Sequence, residues 1–236
     1  MTFSFRADPD RALEKYREIG FHVEEDLVPL EVINCVMANA MERPNAKDGS
    51  FRPIPMPHRD HPIFLEMMRY PPIVDIVEAI LLGTASGLGG EFFYMKPGTA
   101  GFASHQDNAY VQAPPDAFIS VWTALTDVAA DNGVLTFYPG SHKLGALPTR
   151  ETGRETGPGQ NPGAQAVECV MPDTLVGIPM LMRRGSTVFF HSQLVHASGA
   201  NTSTRFRYSF LATYIRKGQP FRPGGAQKRS EVELRP

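Results

Sequence analysis

The sequence predicts a mainly β fold, a sandwich or jelly roll, with helices packed on its outside. Six short apolar runs follow residue 90, and turns rich in glycine and proline separate them, as is typical of such folds. The first 85 residues instead place apolar side chains at helical spacing. At 236 residues the chain fits one domain, so we expect a single unit over 1–236, mostly helical over 1–85 and β-rich over 86–216.

The N-terminal part predicts several helices. Asp8 is a candidate N-cap for the first helix, and Gly20 ends its periodic pattern. Residues 30–41 and 62–82 also carry helical periodicity, and the proline pair that begins at Pro71 should divide the longer run into two helices. We expect these helices to pack against the sheet.

The strands are predicted over residues 91–96, 118–125, 133–138, 176–182, 186–191 and 205–215. Between the third and fourth strands, residues 144–172 are too rich in glycine and proline to form a buried element. A long loop of this kind in a compact domain is usually a lid or disordered.

Composition limits the class of partner. The formal net charge of -2 gives no broad basic field, which argues against nucleic acid or an anionic membrane and favours a small-molecule substrate. No obligate protein partner is evident. The two cysteines lack ligand spacing, the N-terminus lacks an apolar signal core, and no apolar run approaches the roughly 18 residues of a membrane span. We therefore expect a reduced, cytoplasmic setting.

A histidine and a carboxylate two positions apart, His105 and Asp107, are matched by a distant histidine, His196. Two histidines and one carboxylate form the ligand set that binds a non-haem Fe(II) on one face and leaves the other face open for O2 and a cosubstrate. On an extended strand, side chains two positions apart leave the same face and can bind one ion together. These three residues are the candidate metal ligands and catalytic residues.

Two alternative assignments compete with this set. A second triplet begins at His58, but prolines surround it and no alternating apolar run flanks it, so we interpret it as a loop. His191 precedes His196 by five positions and could be taken for the ligand. The serine, glycine and asparagine that follow His196 favour His196, and we expect His191 to be structural.

Five motifs occur in order along most of the chain, and Arg207 follows the last of them; they lie at residues 105–110, 122–127, 132–135, 139–143 and 196–201. Together they resemble the phytanoyl-CoA dioxygenase family of Fe(II)- and 2-oxoglutarate-dependent oxygenases. The resemblance implies a double-stranded β-helix, a cupin-like jelly roll. It also implies that His105, Asp107 and His196 bind Fe(II), with 2-oxoglutarate and O2 as cosubstrates.

The resemblance further implies how the cosubstrate is held. Arg207 lies eleven positions after His196, where the family has a basic residue that binds the far carboxylate of 2-oxoglutarate. A guanidinium group matches a carboxylate bidentately and stays charged at any working pH. Arg205 competes for this role, and only the offset favours Arg207. Ser198 should help to hold the same carboxylate.

Gln106 and Trp122 match positions that line the cosubstrate pocket in the family. Trp122 is the single tryptophan, and a tryptophan on a sandwich strand is as often a core residue, so both interpretations stay open. Candidate substrate-lining residues lie close to the metal motif: Phe92, Tyr94, Lys96 and Tyr110.

The activity that the resemblance implies is that of a 2-oxoglutarate-dependent dioxygenase. Such an enzyme usually hydroxylates an unactivated C–H bond of a small or medium organic substrate and releases succinate and CO2. Two other classes stay open: an O2-independent jelly-roll metalloenzyme, either isomerase or hydrolase, because these ligands do not by themselves select iron, and a catalytically silent binding protein. The motifs leave the substrate open between a CoA thioester, a free acid and a natural-product scaffold, and the outcome open between hydroxylation, desaturation and cyclisation.

Overall fold

The computed structural model describes residues 4–43, 54–155, 163–225 and 228–235. The helices are α1 (Pro9–Ile19), α2 (Leu30–Met41), α3 (Pro62–Met68), α4 (Pro71–Leu81) and the one-turn α5 (Asn108–Val111). The strands are β1 (Phe21–Glu24), β2 (Ile54–Pro55), β3 (Ala85–Met95), β4 (Phe118–Ala124), β5 (Leu135–Phe137), β6 (Thr149–Glu151), β7 (Val167–Cys169), β8 (Ile178–Pro179), β9 (Thr187–His191), β10 (His196–Ser198), β11 (Arg207–Arg216) and β12 (Val232–Glu233).

The helices begin and end where the sequence predicts. Asp8 accepts a hydrogen bond from the Arg11 N–H (3.1 Å) at the start of α1, and Gly20 ends the helix with a left-handed φ of 90°. The bounds of α2 coincide with the prediction, and the predicted division before Pro71 is confirmed because α3 and α4 are separate helices. In the part of the chain that is described, every helix is too short or too polar to cross a bilayer.

Two antiparallel sheets form the core. The large sheet has the order β1-β9-β4-β11-β3-β12, with β2 paired to β3, and the small sheet has the order β10-β5-β8. Because β1 pairs with β9, the mostly helical N-terminal part also contributes a strand to the large sheet. The predicted strand over 176–182 is reduced to β8, which pairs only with the short β5 and contains a proline.

The two faces of the large sheet have different neighbours. On the outer face, Phe92 and Phe210 pack against Phe64 of α3, with ring centroids 5.4 and 5.5 Å apart. On the inner face, Trp122 belongs to an apolar cluster that also contains Phe137 of the small sheet. Helices therefore cover one face and the small sheet covers the other, which is the jelly-roll arrangement predicted.

Part of the predicted loop over 144–172 is a hairpin. Strands β6 and β7 pair with each other, and the Cys169 N–H donates to the Ser104 carbonyl (2.8 Å), so the hairpin lies beside the metal motif. Arg150 and Arg154 both form ion pairs with Glu168, at 2.8 and 2.6 Å. Residues 156–162 of the predicted loop lie outside the described residues.

Candidate metal centre

Three side chains converge in the space between the sheets: His105, Asp107 and His196. Their candidate ligand atoms all lie within 4.8 Å of one another, and no other group of this kind occurs among the described residues. The Asp107 Oδ1 atom is 3.5 Å from the Nε2 atom of His105 and 3.6 Å from that of His196. The residues that the sequence places about ninety positions apart therefore share one site.

Backbone pairing positions the two histidines. His105 and His196 form an isolated antiparallel β-bridge, with N–H···O distances of 2.9 and 3.0 Å, and their ring centroids are 4.2 Å apart. Asp107 does not continue an extended strand, because its φ of -61° and ψ of -31° are helical and it precedes α5. The expectation of a strand over the triplet is wrong: the chain turns at Asp107, and this turn brings the carboxylate to the imidazoles.

Hydrogen bonds orient each ligand. The Nδ1 atom of His105 lies 2.8 Å from the Ala103 carbonyl, and that of His196 lies 3.1 Å from the Leu194 carbonyl. A carbonyl only accepts, so Nδ1 carries the proton in both rings and the Nε2 lone pairs are free for a metal. The Ser120 hydroxyl donates to Oδ2 of Asp107. One carboxylate oxygen and two imidazole nitrogens remain as ligand atoms.

The protonation states also suit a metal. Burial disfavours the charge of Asp107, but the adjacent His196 and His105 hold the pKa of this carboxyl well below its usual range. Burial, with His105 close by, lowers the pKa of His196 to about 4. At neutral pH Asp107 is therefore ionised and His196 neutral, which are the forms that bind metals.

Arg207 is a buried cation on the inner face, only 3% exposed. Its Nη1 donates to the Gly133 carbonyl, its Nε has no hydrogen-bond partner, and its Cζ lies 5.4 Å from the centroid of the Trp122 ring. Burial lowers its pKa to about 10, so it is charged at neutral pH, yet it forms no ion pair with any described carboxylate. A buried charge without a counterion is costly, and an anionic ligand would remove that cost.

Arg205, the competitor of Arg207, has a different environment. Its side chain is 63% exposed and forms an ion pair with Asp131 at 3.2 Å. Arg205 also precedes β11, so strand alternation does not apply to it. Only Arg207 reaches the space between the sheets.

Ser198 lies on the same face of β10 as His196, because the two are two positions apart on a strand. Its Oγ accepts a hydrogen bond from the Phe102 N–H at 2.9 Å, which leaves the hydroxyl proton available to donate.

The side chain of Gln106 forms hydrogen bonds with three backbone groups of the chain. Its side-chain nitrogen donates to the carbonyls of Gly145 (2.9 Å) and Gln193 (2.6 Å), and its side-chain oxygen accepts from the Leu147 N–H (2.9 Å). Both amide protons are used, so the cosubstrate contact predicted for Gln106 is replaced by a structural role. Through these hydrogen bonds Gln106 links the segment before β6 to the loop before His196.

Phe92 and Tyr94 are not in the centre, and their prediction as substrate-lining residues is wrong. Both lie on the outer face, 0% and 2% exposed, and the Tyr94 hydroxyl donates to the Ala40 carbonyl of α2 at 3.3 Å. Strand alternation shows which residues share a face but not which face carries the chemistry. Lys96 follows β3, and its carbonyl accepts from the Thr99 N–H (3.2 Å) in a turn, so no described contact joins it to the centre.

The aromatic residues on the His105 side of the centre are Phe93, Phe102 and Tyr110. The Phe102 ring lies 6.1 Å from the His105 ring and 5.9 Å from the Phe93 ring, and the Tyr110 ring lies 6.2 Å from His105. Tyr110 is among the predicted residues, whereas Phe93 was missed. The signal for Phe93 was its position between Phe92 and Tyr94, which puts it on the opposite face of β3.

The other histidines considered have partners elsewhere. The Nε2 atom of His191 is 3.2 Å from Asp116, and its Nδ1 accepts from the Gln193 N–H at 3.0 Å. His58 lies in a single 3₁₀ turn, Pro57–Arg59, rather than on a strand. The described residues therefore place His191 and His58 outside the centre, as expected.

Known proteins resemble the chain over most of its length. The family model of phytanoyl-CoA dioxygenase (PhyH) matches residues 17–209. A probable phytanoyl-CoA dioxygenase of Caenorhabditis elegans is 33% identical over 164 residues, which are 66% of this chain and 51% of that protein. Phytanoyl-CoA dioxygenase domain-containing protein 1 of Danio rerio is 31% identical over 157 residues, 65% of this chain and 53% of that protein. The chain thus spans about half the length of these curated relatives.

Solved structures share the fold. SnoN, a non-haem α-ketoglutarate-dependent epimerase from nogalamycin biosynthesis, aligns with a TM-score of 0.74 at 21% identity, over 93% of this chain and 88% of that chain. SnoK, a carbocyclase from the same biosynthesis, aligns with a TM-score of 0.74 at 21% identity, over 99% and 98%. EvdO2 complexed with 2-oxoglutarate gives 0.70 at 18% identity, over 92% and 93%. These likenesses confirm the double-stranded β-helix.

Proposed function

We propose that this chain, which belongs to the phytanoyl-CoA dioxygenase family, is an Fe(II)- and 2-oxoglutarate-dependent oxygenase. In this proposal it hydroxylates a C–H bond of a small or medium organic molecule and releases succinate and CO2. One observation carries the proposal: a centre of two histidines and an aspartate shares the space between the sheets with Arg207, a buried guanidinium that has no counterion among the described residues.

The donor set fits a ferrous ion. Two imidazole nitrogens and one carboxylate oxygen are the ligands of non-haem Fe(II) oxygenases, and Fe(II) held by His105, Asp107 and His196 would supply the activation of O2. Zn(II) accepts the same donors, so the ligands alone leave a hydrolase or an isomerase open. Arg207 favours the oxygenase, because neither alternative requires a buried cation for a dicarboxylate.

The residues of this chain have separate tasks in the proposal. Arg207 binds the far carboxylate of 2-oxoglutarate bidentately, and the Trp122 ring supports the guanidinium. Ser198 donates its hydroxyl proton to the same carboxylate, since its oxygen already accepts from Phe102. The apolar inner cluster, with Phe137 and Phe190 near His196, excludes water from the centre.

The aromatic side of the centre faces the substrate. Phe102 and Tyr110 flank the ring of His105, and Phe93 extends this surface along β3. These rings would hold the hydrocarbon part of the substrate and place one C–H bond beside the metal. No general acid or base is needed for this task.

Turnover tests the proposal. Purified protein with Fe(II), 2-oxoglutarate, ascorbate and O2 should form succinate slowly alone and faster with a substrate, and mass spectrometry of metabolite extracts should detect a product that gains one labelled oxygen from ¹⁸O2. A product that loses two hydrogens, or keeps its mass, would retain the oxygenase class and replace hydroxylation by desaturation, ring closure or inversion. Absence of succinate from protein with one bound iron per chain would contradict the proposal.

Two expectations stay predictions. A single domain is consistent with the pairing of β1 to β9 across the predicted boundary near residue 85. The cytoplasmic setting also stays a prediction, and the human relative, 36% identical over 107 residues, is named as a peroxisomal phytanoyl-CoA dioxygenase. Fractionation of the cells that express the protein tests the location.

A further inference from the structure

The C-terminal strap, residues 221–225 and 228–235, runs from α5 to the edge of β3. At one end the Arg222 N–H donates to the Val111 carbonyl of α5 (2.7 Å). At the other end β12 pairs with β3, and Leu234 is buried in the outer cluster. The first attachment point adjoins the centre, because α5 begins directly after Asp107, whereas β12 pairs with Ser86 and Gly87 at the far end of β3.

Arg229 lies on this strap and contacts Tyr110, whose ring lies 6.2 Å from that of His105. Its Nη1 donates to the Tyr110 carbonyl at 3.3 Å. The same nitrogen packs against Gly224, since a Cβ added at that glycine would lie 3.0 Å from it. The side chain is half-buried; burial and the charge of Arg222 lower its pKa, and the charges of Asp107 and Glu91 oppose that shift. Among the described residues Arg229 forms no ion pair.

Arg150 and Arg154 are two further cations near the centre, and unlike Arg229 they have ion-pair partners. Arg150 and Arg154 are exposed and share Glu168, so each already has a carboxylate partner. They line a cavity of about 600 Å³ that also contains Tyr138 and Ala197. Phe102 and Ser198 line the same cavity, so it opens beside the centre, but both arginines there are already paired with Glu168. Among the described residues on the side of the centre that holds Tyr110, Arg222 and Arg229 form no ion pair, and Arg229 is the one that is half-buried.

The charges of the loaded centre indicate which kind of group could pair with Arg229. The loaded centre carries no net charge, because the positive charges of a divalent ion and Arg207 equal the negative charges of Asp107 and dianionic 2-oxoglutarate. The loaded centre therefore does not neutralise Arg229. Glu91 is the remaining carboxylate whose charge reaches Arg229, and the two are beyond ion-pair distance. A planar guanidinium in this position can accept a carboxylate bidentately.

We propose that Arg229 binds a carboxylate of the substrate, so that the enzyme acts on a free organic acid rather than on a thioester or a neutral molecule. The proposal rests on the proposed function, because it takes the His-Asp-His centre as the site of reaction. Phe93, Phe102 and Tyr110 would contact the hydrocarbon part while Arg229 holds the acid group.

Binding to a centre that does not turn over tests this assignment. Protein loaded with Zn(II) and 2-oxoglutarate is titrated, by saturation-transfer NMR, with phenylacetate, cyclohexanecarboxylate and hexanoate, each beside its primary amide, and with hexanoyl-CoA. At least one acid should bind about tenfold or more tightly than its amide, the preference that a charge-assisted bidentate pair gives. The free acid should also bind more tightly than the thioester.

Two variants separate Arg229 from the strap as a whole. Arg229→Gln keeps an N–H donor for the Tyr110 carbonyl but removes the charge, and it should lose the preference for the acid while binding of the amide stays the same. Arg222→Gln removes an exposed charge from the same strap and should keep the preference. A folding defect would instead weaken acid and amide together and lower the Tm.

The proposal is overturned if no acid in the panel binds more tightly than its amide, or if hexanoyl-CoA binds more tightly than hexanoate. It is also overturned if the preference survives in Arg229→Gln or disappears in both variants. The fluorescence of Trp122, beside Arg207, reports 2-oxoglutarate binding in the same samples. An intact acid preference without that response would reject the proposed function and leave the Arg229 site standing.

Discussion

Glu24 and Arg207 are buried charges on opposite faces of the large sheet, 3% exposed each. Glu24, on the outer face, accepts hydrogen bonds from the Ser4 hydroxyl (2.9 Å) and the Phe5 N–H, and lies 3.0 Å from Nε2 of His22. Arg207, on the inner face, has one hydrogen bond, to the Gly133 carbonyl, and no ion pair with a described residue. A charge whose partners all lie within the chain stabilises the fold, whereas a charge with missing partners indicates a ligand.

The two faces of a single strand differ in the same way. On β3 the outer residue Phe92 packs against α3, while its neighbour Phe93 turns toward Phe102 and the centre. Substitutions on the outer face should therefore reduce stability and leave binding intact. Substitutions of inner-face residues that border the centre should reduce binding with a smaller loss of stability.

The largest effect is expected for the two histidines that are five positions apart. His196→Ala removes a candidate ligand, so bound iron and succinate formation should fall by more than the roughly 100-fold that residues orienting a ligand typically give. His191→Ala should keep both, because its ring contacts Asp116 and Gln193 outside the centre. Iron content and succinate yield measure the difference, and an equal loss in the two variants would reject the centre.

Phe92→Ala should be the most destabilising of the changes compared on β3. The side chain is fully buried against Phe64, so its loss should cost about 3–5 kcal/mol in the free energy of unfolding, measured with denaturant. The 2-oxoglutarate affinity of the folded fraction should not change. Phe93→Ala is the matched control on the inner face, and it should weaken substrate binding with a smaller loss of stability; the reverse pattern would exchange the roles of the faces.

Glu24→Gln should reduce stability in a pH-dependent way. Burial disfavours the charge of Glu24, but His22 and the hydrogen bonds from Phe5 and Ser4 hold its pKa below 4.5, so the stability it contributes is present above pH 4.5 and is lost as the pH falls through the lowered pKa. The Tm of the variant should therefore be lower at pH 7 and approach that of the wild type in acid. A difference in Tm that stays constant from pH 7 to pH 3 would contradict this assignment.

Ser120→Ala should have the smallest effect on binding. The hydroxyl donates to Asp107, and removal of such an orienting bond weakens metal binding by about tenfold or somewhat more. Ser209 is a matched control, because its hydroxyl is buried and has no hydrogen-bond partner among the described residues. Ser209→Ala should leave the metal dissociation constant, measured by competition with a chelator, unchanged; similar losses in both variants would reject the role of Ser120.

Much of the helical part was predictable because its signals are local. The cap at Asp8, the stop at Gly20 and the break before Pro71 depend on a few adjacent residues, and all three are confirmed. The strands were predicted less well. Strand β10 has three residues and was missed, since so short a run has no alternation, and β8 is shorter than predicted because only β5 supports it.

The sequence predicted which residues form the centre from their types and spacing, but it did not predict the contacts around them. The motifs brought His105, Asp107 and His196 together, although the local geometry at Asp107 is a helical turn. Sequence could not tell which face of β3 turns inward, because that depends on where the helices pack. It also gave no signal for Arg229, whose approach to the centre depends on the path of the strap.

The most direct test of the account is anaerobic binding of 2-oxoglutarate to the Fe(II) protein, followed by the fluorescence of Trp122, the single tryptophan. Arg207→Met should raise the dissociation constant by about tenfold to 100-fold, as loss of a charge-assisted bidentate pair implies, without lowering the stability of the ligand-free protein. Arg205→Met, in the exposed neighbour, should bind 2-oxoglutarate like the wild type. Unchanged affinity in Arg207→Met, or an equal loss in Arg205→Met, would contradict the assignment of the inner face as the cosubstrate site.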